Sequence, residues 1–295
     1  MSGNKLLALF FLSVIVIGLV APFTFLKVEK DRKGIVEVTK KTRKESKTSP
    51  FKPDIKKVIE KPLHQVKLPD FSAITDVNAK KKAFFDFIRP AVVKKNNELL
   101  AVRAKLTVWL DNVLLEQQLT LIDRQELTGL AKRYRLSKDE STLFQIKELL
   151  VRIDIVPTAL VLVQAANESA WGTSRFSRIG LNFFGIWCYR QGCGMIPAGR
   201  NTGAKHEVAA FKSLESAVSH YFDTLNSHNA YRAFRVIRTE LRVNNQSLSP
   251  QILATGLLPY SQRGADYVVD ILKMLKHNQR YLINDMEKQV AITSD

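Results

Sequence analysis

The segment IVPTALVLVQAANESAWG, Ile155 to Gly172, decides how this chain is read. From Ile155 to Ala166 it is apolar apart from Thr158 and Gln164, and Pro157 suits a first helical turn, where its missing N–H is not needed. A bilayer span needs about 20 apolar residues, so this shorter run predicts a helix buried in a core. Polar residues then arrive together: Gln164, Asn167 and Glu168, followed by Trp171 and Gly172. Offsets of three, four and seven put Gln164, Asn167, Glu168 and Trp171 on one helix face. A carboxyl group delivered there, against an indole and apolar packing, loses solvation and has its pKa raised. That is what a general acid needs to protonate a leaving-group oxygen near neutral pH. The same residues also fit a plain helix end, with Glu168 solvated or paired with Arg175 or Arg178.

On either side of this segment helical periodicity dominates. Lys80–Val93 and Glu98–Gln118 read as helices, the first broken near Pro90. Arg124–Arg135 and Ser141–Arg152 come next. Ser213–Asn226 spaces Leu214, Ala217, Val218, Tyr221, Phe222 and Leu225 along one face, with Ser213 as its N-cap. A final helix over Gly264–Asn278 is predicted to turn Val268, Val269, Leu272 and Leu275 inward. Phe176–Ala210 is rich in glycine, has no helical period, and reads as loop or a small β-hairpin. The fold class is mostly α with an irregular insertion.

The chain has 295 residues, 45% of them hydrophobic, which excludes wholesale disorder. Two cysteines are too few for a disulfide-stapled miniprotein or a four-thiolate zinc site, and the five histidines have no ligand spacing. No cofactor or metal is expected. Leu6–Leu26 is an uncharged, mostly apolar run long enough to span a bilayer, and Pro22 after Ala21 makes a poor cleavage site. It reads as an uncleaved signal anchor in contact with inner-membrane lipid. Lys5 on one side and Lys27, Lys30, Arg32 and Lys33 on the other make the positive-inside count run against export. Of the formal net charge of +17, the stretch Lys27–Lys67 holds +8, from 14 Lys/Arg and 6 Asp/Glu. It reads as a tether, either a solvated spacer or one drawn to polyanions. No finger spacing, aromatic RNA-binding signature or basic-zipper pattern supports a nucleic-acid partner.

Two blocks carry a resemblance. QAANESAWGTS, Gln164–Ser174, and NFFGI, Asn182–Ile186, resemble the peptidoglycan β-N-acetylglucosaminidase domain of glycoside hydrolase family 73. Asn229-Ala-Tyr231, Pro259-Tyr260-Ser261 and Tyr267 are similar to that family's later tyrosine blocks, and the Bax-type branch fits best. The resemblance implies a lysozyme-like α-helical fold with a cleft between lobes and the peptidoglycan glycan strand as substrate, cut on the reducing side of N-acetylglucosamine. It implies Glu168 as catalytic acid and Tyr260 as a support for the transition state or the N-acetyl group. Phe184, Gly185 and Trp187 become cleft walls, while Tyr231 and Tyr267 pack or stack on sugar. Gln164 and Trp171, placed on the Glu168 face, join the substrate-binding set. Glu207 is the one acid between Trp187 and Phe211 and hence the candidate second acid. Retaining, inverting and substrate-assisted mechanisms all stay open. Cys188 and Cys193 bracket four residues and would form a disulfide in an exported protein, or remain two thiols otherwise.

The expected organisation is an anchor at 1–26, a linker at 27–70, a helical segment at 71–152, a glucosaminidase-like domain at 153–280 and a tail at 281–295. Because peptidoglycan lies outside the cytoplasm, the single-pass protein is expected to place its catalytic domain in the periplasm. Rival readings are a lytic transglycosylase using the same Glu, a non-hydrolytic glycan-binding scaffold, and an anchored regulator that binds an acidic partner through its tether.

Overall fold

The computed structural model describes residues 60–282 except 198, 199, 201 and 202. The apolar run Leu6–Leu26, most of the basic linker and the tail beyond residue 282 lie outside the described residues. Among the described residues no helix is long and apolar enough to cross a membrane.

The architecture is mostly helical with one small sheet. Helix α1 (Val77–Leu114) runs 38 residues and opens on Asp76, whose carboxylate accepts the Ala79 N–H. Pro90 lies inside it, so the break predicted there does not occur. Pro90 and Asp86, whose carbonyl loses its partner, both face solvent, where water satisfies the freed group. The inner face buries Phe84, Phe85 and Ile88. At about 1.5–3 kcal/mol each, these three outweigh the roughly 3 kcal/mol an internal proline costs.

Helices α2 (Leu121–Arg133) and α3 (Thr142–Arg152) come next, capped by the Thr120 and Ser141 hydroxyls. Helix α4 (Thr158–Ser169) is the predicted buried helix, with Pro157 as its N-cap residue rather than inside the first turn. Its two sides pack against α1 and against α9 (Ala265–His277). The glycine-rich segment contains a short helix that its sequence concealed, α5 (Arg175–Gly180), and then a three-stranded antiparallel sheet. Its strands β1 (Trp187–Cys188), β2 (Gly194–Met195) and β3 (Glu207–Ala209) are ordered β1-β3-β2, with Trp187 opposite Val208 and Gly194 opposite Ala209. A Cβ on Gly194 would lie 2.0 Å from the Val208 carbonyl oxygen, so only glycine fits this pairing.

Helix α6 (Leu214–Ser227) starts with a reciprocal Ser213/Ser216 capping box. A 3-10 turn (Asn229–Tyr231) leads into α7 (Arg232–Val243), and α8 (Pro250–Ala254) into a second 3-10 turn (Thr255–Tyr260). On α9 the inward residues are Tyr267, Val268, Ile271 and Leu275, while Val269 faces solvent. A short α10 (Gln279–Leu282) closes the described chain, its Tyr281 and Leu282 carbonyls held by Arg89.

The end of the predicted linker is docked rather than solvated. Leu63 N–H donates to the Ile179 carbonyl at 2.8 Å, buried His64 meets the Arg178 carbonyl at 3.0 Å, and Glu60 pairs with Arg175. Backbone and ion-pair contacts, which hydropathy does not register, hold this stretch along α5.

Candidate active site

Helix α4 carries Glu168 in its last turn, partly buried at the end of a mostly buried segment. The helix stops one residue later. Ala170, Trp171 and Gly172 have φ of 50°, 58° and 76°, three successive residues in the left-handed region. For the two non-glycine residues this costs roughly 1–2 kcal/mol each. Ser169 holds the turn: its hydroxyl donates to the Ala165 carbonyl (2.6 Å) and accepts from Gly172 N–H (2.9 Å). Gly172 has no room for a side chain, since a Cβ would lie 2.4 Å from the Phe71 ring. The turn swings Trp171 off the Glu168 face, so the expected one-face spacing does not extend to it. Its indole packs edge-on against Phe84 and Phe85 of α1, with Lys81 over the ring.

Neutral donors surround the Glu168 carboxyl group. Asn167 Nδ2 donates to Oε1 at 3.2 Å, and the Tyr267 hydroxyl donates to the carboxylate. Burial raises the pKa, and the Tyr267 and Asn167 hydrogen bonds partly offset the rise. Neither nearby arginine pairs with it: Arg175 engages Glu60, and Arg178 Nε donates to the Thr173 carbonyl. Buried Gln164 orders the site from behind. Its Oε1 accepts from the Tyr221 hydroxyl and its Nε2 donates to the Tyr267 hydroxyl at 2.9 Å. Tyr267, which accepts from Gln164, is also the larger of the two hydrogen-bonding influences that hold the Glu168 pKa down against burial.

The 182–186 loop forms the other wall. Asn182 Nδ2 donates to the Ile186 and Ala209 carbonyls, both at 2.8 Å, and its Oδ1 accepts Ile186 N–H at 3.0 Å. The loop is thereby stitched to β3, which fixes Phe184 and Gly185. Phe184 stacks on Tyr221 with ring centroids 4.4 Å apart, and its carbonyl accepts the Tyr260 hydroxyl at 2.8 Å. Gly185, at φ 65°, keeps its backbone against the acid: a Cβ there would lie 3.2 Å from Glu168 Oε2. Tyr260 stacks on Tyr267 (5.5 Å, 8°), and Tyr231 stands 6.0 Å from Tyr260. Burial, with the Glu168 charge adding, pushes the Tyr231 phenol up to about 12.

The structure therefore brings Gln164, Glu168, Phe184, Gly185, Tyr231, Tyr260 and Tyr267 into one group. Trp187 and Glu207 sit instead on the small sheet. The Trp187 ring is 46% exposed and touches His206 edge-on at 4.9 Å. Glu207 accepts Gly192 N–H at 3.0 Å and Gly194 N–H at 2.9 Å, one on each carboxylate oxygen, and these bonds lower its pKa. Cys188 and Cys193 are joined in a disulfide across the same turn, with Cα atoms 6.3 Å apart.

Residues 145–280 match the glucosaminidase family, described as mannosyl-glycoprotein endo-beta-N-acetylglucosaminidase. Protein bax of Escherichia coli (strain K12) is 32% identical over 220 residues, covering 74% of this chain and 77% of that protein. The chain belongs to the Bax family. Its domain is of the glycosidase type, and a glycan is the class of substrate that goes with it. No solved structure matches the chain.

Within this Bax-type domain the sequence blocks acquire separate tasks. In ESAWG, Glu168 is the carboxyl group that the neighbouring side chains surround, Ser169 locks the strained turn, Trp171 anchors it to α1, and Gly172 fits beneath Phe71. In NFFGI, Asn182 is the pin, Phe184 the stacking platform and Gly185 the clearance beside the acid. One contributor, Tyr221, carries no sign of its role in the sequence. Tyr221 sits on an apolar helical face and looked like core, yet its hydroxyl orients Gln164. Asn182 opens the NFFGI block, and its hydrogen bonds show the task it has there. A lone tyrosine on a helix face carries no local signal of this role; its partner glutamine is 57 residues away.

Proposed function

We propose that the protein is a peptidoglycan hydrolase that cleaves the glycan strand at N-acetylglucosamine β-1,4 linkages, with Glu168 as general acid. The observation that carries this is a partly buried carboxyl group with no charged partner, whose pKa burial raises above its ordinary value so that it holds its proton to higher pH. In the reaction the Glu168 proton passes to the glycosidic oxygen as the bond to the anomeric carbon breaks. The Tyr267 and Asn167 donors then stabilise the carboxylate left behind. Water completes hydrolysis at the anomeric carbon, either directly or after the substrate's own 2-acetamido oxygen has closed on it. Tyr260, its hydroxyl on the Phe184 carbonyl, acts by holding Tyr267 and the loop wall in place. The helix-borne acid beside a small sheet lobe fits a lysozyme-like plan.

Glu207 favours a chemistry with one protein acid, because both its oxygens are engaged by backbone N–H groups. A lytic transglycosylase, which closes an anhydro sugar without water, also needs one acid and is the second reading. Because peptidoglycan lies outside the cytoplasm, the domain belongs in the periplasm, with the Leu6–Leu26 run as inner-membrane anchor; the Cys188–Cys193 disulfide supports an oxidising compartment.

Mass analysis of the products released from peptidoglycan separates these readings. Fragments ending in reducing N-acetylglucosamine are expected, and Glu168→Gln should abolish them. Anhydro-muramyl ends would establish the transglycosylase. Sacculi that are bound but uncut would leave a glycan-binding scaffold.

A further inference from the structure

A cavity of about 610 Å³ opens beside the 3-10 turn Asn229–Tyr231. Arg152, Arg232 and Arg235 line it against a single acid, Glu148. Arg152 is committed to Glu148 (2.9 Å) and to the Tyr134 carbonyl (2.9 Å). Arg235 is only 3% exposed, and its Nη1 donates to the Leu225 and His228 carbonyls, both at 2.9 Å. Among the described residues its Nε and Nη2 meet no protein acceptor, and no carboxylate contacts it. No nitrogen of Arg235 is both fully buried and unpaired, so the unused half of its fork is open to the cavity, where an anion can reach it. Arg232 adds a second charge at the exposed rim, and α7 begins there, so the helix dipole adds to the positive potential. Burial and the neighbouring Arg152 charge lower the Arg235 pKa to about 10, still far above neutrality, so the fork is charged in use.

The segment that supplies this cavity also supplies the candidate active site. Tyr231 lies between Asn229 and Arg232, and its ring reaches Tyr260 in the Glu168 group. A strand lying across the tyrosines would therefore have its substituents within reach of the arginines. Guanidinium forks match planar carboxylates in two-point contacts. We infer that this cavity is a binding site for the carboxylate-bearing stem peptide carried by the muramic acid residues of the strand. The inference rests on the proposed peptidoglycan substrate and assigns the arginines to substrate choice.

Calorimetric titration of the full chain with N-acetylmuramic acid and with its stem-peptide conjugate tests it. Neither probe holds a bond between two sugars, so binding is read independently of whether Glu168 cleaves anything. The conjugate should bind about tenfold more tightly or better. Arg232→Glu, at an exposed position, should bring the ratio close to one, and Arg235→Lys, which keeps the charge but loses the fork, should reduce it. Equal binding of the two probes, no binding of either, or a ratio that neither substitution changes would overturn the assignment. Loss of the preference in millimolar inorganic phosphate, with no dependence on the peptide, would make it a general anion pocket and overturn it as well.

Discussion

Two carboxyl groups bracket helix α4, and their surroundings differ in kind. Asp154 lies just before the helix and Glu168 in its last turn, so the helix's length of roughly 18 Å separates them. Asp154, with a side chain 3% exposed, accepts a two-point contact from Arg242 (2.9 and 3.0 Å) and lies 3.5 Å from Arg103. Beside it, fully buried Arg238 donates to the Val151, Arg152, Asp154 and Ile155 carbonyls and to Asn226 Oδ1. Cations thus cap the end of α3 and tie it to α7. Glu168 has a glutamine-ordered tyrosine, an asparagine and a glycine's clearance. Burial alone distinguishes neither. The neighbours decide: a carboxylate fixed by arginines is a joint, while one offered only neutral donors is left with the pKa rise that burial causes.

Losing the joint should cost the most. Asp154→Ala leaves Arg103 and Arg242 without their carboxylate and Ile155 N–H without its 2.7 Å acceptor. A loss of about 3–5 kcal/mol is expected, the scale for removing one partner of a buried pair. It should appear as a lower urea midpoint at unchanged slope. A loss below about 1 kcal/mol would show that water, not the arginines, satisfies this region.

At the other carboxyl group the effect should fall on chemistry instead. Glu168→Gln should lower turnover on peptidoglycan by about a hundredfold or more, the scale of lost acid catalysis, with the fold kept. Its stability should change with pH in one direction only. The folded-state pKa of Glu168 lies above its ordinary value of 4.5, so its contribution is full below that pH and is lost as pH rises through the folded value. Glutamine does not titrate, so the variant should gain on the parent protein across that window and not below it. Thermal melts at both ends of the window measure this. A parent protein that gained instead would mean Glu168 is stabilised as a carboxylate.

The two regions are unequally legible in the sequence. Helices α3, α4, α6 and α9 obey apolar period and cap residues, and they are readable almost to their ends. The carboxyl group proposed as the acid is placed by the sequence too, because it closes an apolar run. The arginine joint is not, and neither is α7, because Arg235 and Arg238 occupy inward positions where the period expects apolar side chains. Buried arginines satisfied by distant carbonyls look like surface in one dimension. The orientation of Trp171 is hidden for another reason: a left-handed turn at Ala170 ends the helix where composition would continue it.

Gly185→Ala probes how closely the loop must approach the acid. It places a Cβ 3.2 Å from Glu168 Oε2 and forces alanine to φ 65°. The conformational part alone costs roughly 1–2 kcal/mol. Turnover should fall while the Asp154 joint keeps its protection in hydrogen exchange; equal turnover would mean that the loop yields.

The mildest substitution is also the most specific. Tyr267→Phe removes one hydroxyl that accepts from Gln164 and donates to Glu168. Because that donation favours the charged carboxylate, its loss should raise the Glu168 pKa further, on top of the rise that burial already causes. A general acid works while protonated, so the alkaline limb of the pH–rate profile should move to higher pH. Below that limb turnover should fall by about two- to tenfold, the worth of one neutral hydrogen bond, because the carboxylate formed in the reaction loses a stabilising donor. The joint at Asp154 offers the control. Arg242→Gln should weaken the fold without moving the limb, since no arginine contributes to the Glu168 environment. A limb that moves downward in Tyr267→Phe would mean that the hydroxyl accepts from a protonated Glu168 instead of donating to its carboxylate. The Tyr267 proton would then have to point away from Glu168, with Gln164 still donating to the tyrosine oxygen.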